Sequence, residues 1–341
     1  MGVKRIKGLD SIRFICAIFV LFGHAGVPVL DYLINSHHKY IQSLGKLLGL
    51  IFNGPAAVIV FFIISGFCIH YPLREKTSIH LPSYYVRRLL RIGLPALAGV
   101  IVYLLLNVAL VPPQFGIFWS IICEVIYYII YPVIFYANKR FKVSWVAFVA
   151  SAYLIAFALM FFNQKDLLTN NMAYPALGLN TWLIGLPCWL LGCWLAENYT
   201  KFATLSFVKM WGLRILVILV VLGLRIIKFH VSGVIASNCV TLNIFALGAC
   251  CWIGFEIAYY EVYKPLNVLE WAGKWSYSLY IMHPPTFTLV WLIGLGSLHS
   301  KAIVVVMCLI VAYLFYLIIE KPTHKLAALA GAFFQSKPKP A

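Results

Sequence analysis

Four ionisable side chains stand inside apolar stretches of this sequence: Arg13 and His24 in LDSIRFICAIFVLFGHAG, Glu124 in FWSIICEVIYYIIYP, and His283 in WAGKWSYSLYIMHPPTF. At the centre of a bilayer such a group costs about 2.5–3.5 kcal/mol on insertion scales, so each marks a functional position. Histidine ionises nearest neutral pH and is the commonest general base, and a carboxylate beside it fixes its tautomer. The chemistry these types suggest is removal of a proton from a weakly acidic group. Glu124 lies about seven residues from one end of its span and His24 about thirteen from the opposite end of its own; at 1.5 Å per residue and a roughly 30 Å hydrocarbon core, both lie about 10 Å below one surface. Depth alone does not establish contact.

Arg13 and His24 share the first helix, eleven residues apart. Eleven steps of about 100° return to within about 20° of the same direction, so the two project from one face about 16 Å apart along the axis. They are placed to line one tunnel, Arg13 at its mouth and His24 deep inside. Plainer roles stay open: Arg13 as a snorkelling anchor, His24 as a packing histidine bonded to a carbonyl, and Glu124 as a helix cap or the partner of a tyrosine.

Ser276, Tyr280 and His283 follow an i, i+4, i+7 stripe, giving a polar seam to the helix that carries them. Pro284 and Pro285 interrupt the hydrogen-bond ladder there and free carbonyls that need partners. His283 either satisfies those carbonyls or serves the chemistry. In REKTSIHLPSYYVRRLLRIGLP, Arg87 and Arg91 share a helical face with Arg88 close by. Such guanidiniums suit a polyphosphate through bidentate bonds, or equally anionic lipid head groups. No Walker A or G-x-G-x-x-G accompanies them.

The elements that must position these residues are membrane helices. Of 341 residues 63% are hydrophobic and 11% charged, and the mean hydropathy is +0.91, which excludes a soluble enzyme, a DNA-binding protein and a disordered chain. Ten apolar spans are expected, near 11–30, 50–71, 93–111, 117–136, 143–162, 179–196, 211–228, 233–259, 275–296 and 301–320. The net charge of +17 is then a matter of orientation: with ten spans, 21 of the 27 Lys and Arg fall on the side holding both termini. The six on the other side are Lys39, Lys46, Lys165, Arg225, Lys228 and Lys301. The positive-inside rule makes the first side cytoplasmic. The basic start followed by an apolar run is read as an uncleaved first helix, since the run exceeds signal length and lacks an A-x-A site. All nine cysteines fall in apolar spans without a C-x-x-C pair, so packing is their expected role and no metal site is indicated.

Six segments in order resemble the acyltransferase-3 family of integral membrane O-acyltransferases. LDSIRFICAIFVLFGHA is similar to that family's "LDGLRAxAxxxVxxxHA", FFIISGFCI to "FFVLSGFLI", and YYVRRLLRIGLP to "RRxxRixP". FWSIICEVIYYIIYP is similar to "WSLxxExxFYxxYP", and WAGKWSYSLYIMHPP with IEKPTHKL to "LGxxSYSLYLxHxP" and "EKPxxRL". The likeness spans residues 9 to 326. It departs at Ser11, where a glycine is usual, and at Glu124-Val125, where a Glu-Glu pair is usual.

The resemblance implies one membrane domain over residues 1–341 with a short cytoplasmic tail at about 327–341, in the inner membrane of a bacterium. It implies transfer of an acyl group, usually acetyl from cytoplasmic acetyl-CoA, to a hydroxyl of a surface or secreted carbohydrate, a lipid-linked sugar or a small secondary metabolite. His24, Arg13 and Glu124 would be catalytic; Arg87, Arg88 and Arg91 would meet the CoA phosphates; Ser65, Tyr280 and His283 would lie along a substrate tunnel. No metal and no nucleic acid are expected. The chain's end soon after the last motif is read as leaving no room for a fused hydrolase-like domain, so the acceptor would come through the membrane domain or from polysaccharide machinery. Two rival classes stay open. One is a transporter or flippase, whose paired broken helices in repeated halves are not seen in the sequence; the other is a non-catalytic subunit of a polysaccharide export machine.

Overall fold

A computed structural model of the chain describes residues 5–106, 117–169, 174–294 and 301–336, and every regular element in them is helical. In chain order these are α1 (Leu9–Ala25), α2 (Leu30–Ile34), α3 (Lys39–Gly49), α4 (Gly54–His70), α5 (Leu81–Leu105), α6 (Phe118–Phe141), α7 (Trp145–Phe162) and α8 (Gln164–Thr169). There follow α9 (Thr181–Asn198), α10 (Phe207–His230), α11 (Asn238–Val262), α12 (Asn267–Ala272), α13 (Ser276–Leu292), α14 (Lys301–Phe315) and α15 (Lys321–Ser336). Eight segments are long and apolar enough to cross a bilayer. The chain is an all-α polytopic membrane protein.

Ten spans exceed those eight by α9 and α13. α13 has only 17 residues, and α9 breaks its apolar run with Trp, Gly and Pro. Both lie inside the bundle with most residues buried, and a helix surrounded by helices needs no continuous lipid-facing surface. The far ends of the expected spans 93–111 and 275–296, at 107–111 and 295–296, lie outside the described residues, as do Lys4, Lys337 and Lys339 of the basic tally.

α4 forms the centre. Asn53 caps it by accepting from the Ala56 N–H at 3.3 Å, Pro55 sits in its first turn, and most of its side chains are buried. It meets α9 backbone to backbone. A Cβ on Gly66 would fall 1.9 Å from the Trp189 carbonyl oxygen, and one on Gly192 2.0 Å from that of Ile63. Around this pair stand α1, α6, α7 and α11.

Proline inside a helix frees the carbonyl four residues earlier, and at Pro132, Pro284 and Pro285 a side chain takes it up. The Tyr128 carbonyl freed by Pro132 accepts from the Tyr84 hydroxyl at 3.1 Å. Pro284 and Pro285 free those of Tyr280 and Ile281, which accept from His283 Nδ1–H at 2.8 Å and the Tyr103 hydroxyl at 3.3 Å. α13 therefore runs unbroken through both prolines.

At the C-terminus α14 passes through a π-helical turn, Tyr316–Glu320, straight into α15. α15 packs on α5, where Ser83 Oγ donates to the Gly331 carbonyl at 2.8 Å. Residues 327–336 of the expected short tail are helical, in α15, which docks on α5; residues 337–341 lie outside the described ones.

Candidate active site

α1 begins where Glu270 of α12 accepts from the Gly8 and Ser11 backbone N–H groups, both at 3.1 Å, and from Ser11 Oγ at 2.7 Å. A carboxylate here satisfies orphan donors and opposes the helix dipole. Ser11 gains a bond that glycine at this position lacks. Gly273 then touches the helix start so closely that its Cβ would fall 2.0 Å from the Asp10 carbonyl oxygen. These contacts fix the angle at which Asp10 and Arg13 enter the bundle.

Between α1, α4, α5, α6 and α13 lies a cavity of about 700 Å³, a size ordinary for a small-molecule site. One end opens among Arg5, Arg88, Arg91, Lys274 and His324, at the face holding the start of α1 and of α15. The other end is floored by Ser120, Tyr280, Ser65, Tyr128 and Glu124. Arg13 stands between, donating to Asp10 Oδ1 at 3.3 Å and to Cys68 Sγ at 3.4 Å. Asp10 also pairs with Arg5. The mouth is thus strongly cationic and the floor polar.

Glu124 is held by hydroxyls. Ser65 Oγ donates to its Oε1 at 2.5 Å, Tyr128 donates to the same oxygen, and Ser65 Oγ accepts from Trp189 Nε1 at 3.2 Å. The partner of a tyrosine is the role the structure gives Glu124, and it does not bring His24 to it. α1 ends at Ala25 because Gly26 takes φ 77°, donates back to the Phe22 carbonyl and is followed by Pro28. The expected span ran to residue 30. His24 consequently sits exposed in the last turn, at the far end of the bundle rather than deep within it. Arg13 lines the cavity and His24 does not, so the single tunnel expected from their shared face is interrupted.

The neighbour of His24 is His283, with ring centroids 5.1 Å apart in an edge-to-face arrangement. His283 is 1% exposed, and its Nδ1–H is committed to the Tyr280 carbonyl. In the neutral ring this leaves the lone pair on Nε2, which is buried without a hydrogen-bond partner. The Tyr280 ring is 6.0 Å from that of His283, and the Tyr280 hydroxyl meets Ser120 Oγ at 2.7 Å and donates to the Ile117 carbonyl at 3.1 Å. Tyr280 and His283 therefore form a layer between the cavity floor and His24. The structure gives His283 the first of its two expected roles: Nδ1 satisfies a carbonyl that a proline frees, while Nε2 stays buried and unpaired.

Arg87 stands apart from Arg88 and Arg91. Its Nε donates to Ser83 Oγ at 3.2 Å and its Nη2 to Gln335 at 3.2 Å, against α15. Positions i and i+3 on α5 face the cavity, and the surface that Arg87 and Arg91 would share is covered by the C-terminal helix. Sequence reasoning passed over Tyr128, although its i+4 spacing from Glu124 predicts the contact. It also passed over Glu320, which is 2% exposed, lines the cavity, and accepts from Ser278 N–H at 3.2 Å and Ser278 Oγ at 2.5 Å. No cluster of three or more His, Cys, Asp or Glu able to hold a metal occurs among the described residues.

A family model described as an acyltransferase domain, that of acyltransferase-3, matches residues 6–320. No curated protein and no solved structure matches the chain. The match takes in Arg88, Arg91 and Lys274 of the cationic mouth and the histidine pair, and with the membrane helices it carries one conclusion: this chain belongs to the acyltransferase-3 family and is a membrane acyltransferase.

Proposed function

We propose that the chain is an O-acetyltransferase moving an acetyl group from cytoplasmic acetyl-CoA to a hydroxyl of a surface or secreted carbohydrate, in the inner membrane of a bacterium. Both termini face the cytoplasm on this reading, as the distribution of Lys and Arg favours. One observation carries it: a cavity with a cationic mouth reaches into the bundle and stops at the layer formed by Tyr280 and His283, with His24 against the far side of that layer. A donor with phosphates at one end and a reactive thioester at the other fits that order of groups.

Arg88 and Arg91, with Arg5 and Lys274, take the nucleotide end. The pantetheine arm passes Arg13 and the acyl carbon approaches Tyr280 and His283, whose side chains give way for it to meet His24. His24 removes the proton of the acceptor hydroxyl as its oxygen attacks the thioester carbon. The C–O bond forms, the C–S bond breaks, and the proton ends on the CoA thiolate. Glu124 acts on the cavity side, where Ser65 and Tyr128 hold it, and reaches the chemistry through Arg13 and the bound donor. A covalent acyl-histidine is the mechanistic alternative, in which His24 Nε2 or Nδ1 takes the acyl group first.

Single turnover of purified protein with labelled acetyl-CoA and no acceptor decides the mechanism: label retained on His24 rejects simple base catalysis. His24→Ala is expected to abolish acetylation of surface glycan, read as loss of one acyl mass, and Arg88→Ala to reduce it, both with the fold intact. Transport of a solute into liposomes without acetyl-CoA consumption would overturn the enzyme reading in favour of a transporter, and glycan acetylation untouched by both variants would favour a non-catalytic subunit. Acetylation of a small metabolite with the glycan unmodified would move the acceptor class alone.

A further inference from the structure

Arg5 and Lys274 line the mouth of the cavity, and both also line a second hollow of about 360 Å³, so the two spaces adjoin across these side chains. The second lies between the segments that lead into α1 and α12, and Lys7, Lys264, Glu270 and Trp271 complete the part of its wall that bears on ligand chemistry. Its charge is one-sided. Four cations stand against one carboxylate, and that carboxylate is already in use: Glu270 Oε1 accepts from Gly8 and Ser11 at the start of α1, and Oε2 is 4.0 Å from Arg5 Nη2. Arg5 is further paired with Asp10. Lys7, Lys264 and Lys274 form no ion pair with a carboxylate among the described residues.

Three uncompensated ammonium groups around so small a space draw in a compact, multiply charged anion, and ammonium binds phosphate as a point charge. The aromatic part of the wall adds a second preference. Trp271 is 46% exposed, yet its ring is held by contacts with Trp275 at 5.6 Å and Tyr313 at 5.2 Å. An indole fixed in this way offers a face on which a nucleobase stacks. Phosphate beside a purine is thus the chemistry that the hollow fits.

The reach of the donor leads to the same place. Lys274 at the mouth and Tyr280 at the floor are six residues apart on one continuous helical stretch, which is about 10 Å by helical rise. The pantetheine arm between thioester and pyrophosphate has about a dozen bonds and extends to roughly 15 Å. A donor with its thioester at Tyr280 therefore has its pyrophosphate at the mouth and its adenosine outside the cavity, where Arg5 and Lys274 border the second hollow.

Resting on the acetyl-CoA reading above, we propose that this hollow seats the donor's adenosine 3′-phosphate. Lys7, Lys264 and Lys274 hold the phosphate monoester, Trp271 stacks on the adenine, and Arg88 and Arg91 are left with the pyrophosphate. The enzyme thereby selects a carrier phosphorylated at the 3′ position over one that ends in a free 3′-hydroxyl.

The test compares acetyl-CoA with acetyl-3′-dephospho-CoA, both labelled, for binding to the full chain in phosphatidylcholine vesicles and for consumption of the thioester. The wild type is expected to bind acetyl-CoA about tenfold or more tightly. A double variant, Lys7→Gln with Lys264→Gln, changes only exposed side chains and is expected to bring that ratio close to one by weakening acetyl-CoA alone. Trp271→Ala is expected to weaken both carriers several-fold and leave the ratio in place. Equal binding of the two carriers by the wild type, or a ratio unmoved by the lysine substitutions, overturns the inference while leaving acetyl transfer standing. Binding of both carriers unchanged in Trp271→Ala takes the adenine out of the hollow and overturns the placement. An effect of the lysine substitutions that appears only when phosphatidylglycerol is added assigns the ammonium groups to a lipid phosphate and also overturns it. If neither carrier is bound or consumed, the acetyltransferase reading itself has failed and this inference falls with it.

Discussion

His24 and His283 divide labour in a way neither residue reveals alone. His283 spends one nitrogen on the carbonyl that Pro284 frees and keeps the other unpaired, edge to face with a histidine that ends its helix in the open. Replacing His24 by Ala removes the proposed base and is expected to lower kcat/KM by about 10²–10⁴, with the unfolding midpoint unchanged. Arg88→Ala is expected to raise KM for acetyl-CoA about tenfold, whereas Arg87→Ala, which loses bonds to Ser83 and Gln335, is expected to lower thermal stability with little change in KM. Comparing KM and unfolding midpoint for the two variants checks both. The sequence marked these residues because charge inside an apolar run is conspicuous. It could not tell Arg87 from Arg88, since that distinction depends on where α15 lies, and it set His24 too deep because Gly26 and Pro28 end the helix before the apolar run itself ends.

The helices themselves were largely legible, because a bilayer demands long apolar runs and leaves little else to infer. Their contacts were less so. Gly66 and Gly192 let α4 and α9 touch through their backbones, and nothing in hydropathy distinguishes them from Gly49, Gly93 or Gly212, where a Cβ would meet open space. Gly66→Ala and Gly192→Ala are expected to destabilise the protein by about 1–3 kcal/mol or more through overpacking, while Gly212→Ala is neutral or stabilising. Thermal unfolding in detergent orders the three. The prolines of α13 were legible as carbonyls in need of partners, but not which groups supply them: His283 and the Tyr103 hydroxyl occupy the two freed carbonyls and the helix continues. Tyr103→Phe is expected to cost about 1–3 kcal/mol by leaving the Ile281 carbonyl unpaired.

Taken as a whole, the molecule gathers positive charge at one end, where Arg5, Arg88, Arg91 and Lys274 ring the cavity mouth. Exposed charge of this kind is screened within about 10 Å at 0.1 M salt, so KM for acetyl-CoA is expected to rise with ionic strength while kcat holds. Steady-state kinetics across a salt series checks it. The net charge of +17 is what made this end visible in the sequence, once the basic residues were counted by side. The Tyr280–His283 layer that closes the cavity has an electrical meaning as well. A nucleotide donor carries several negative charges, and each charge crossing the membrane exchanges about 2.3 kcal/mol per 100 mV with the potential. On the acetyl-CoA reading proposed above, a cavity floored at Tyr280 keeps the charged carrier on the side it entered while only a neutral acyl group goes past. Transfer arranged this way is indifferent to the membrane potential, and the bundle remains an insulator between turnovers.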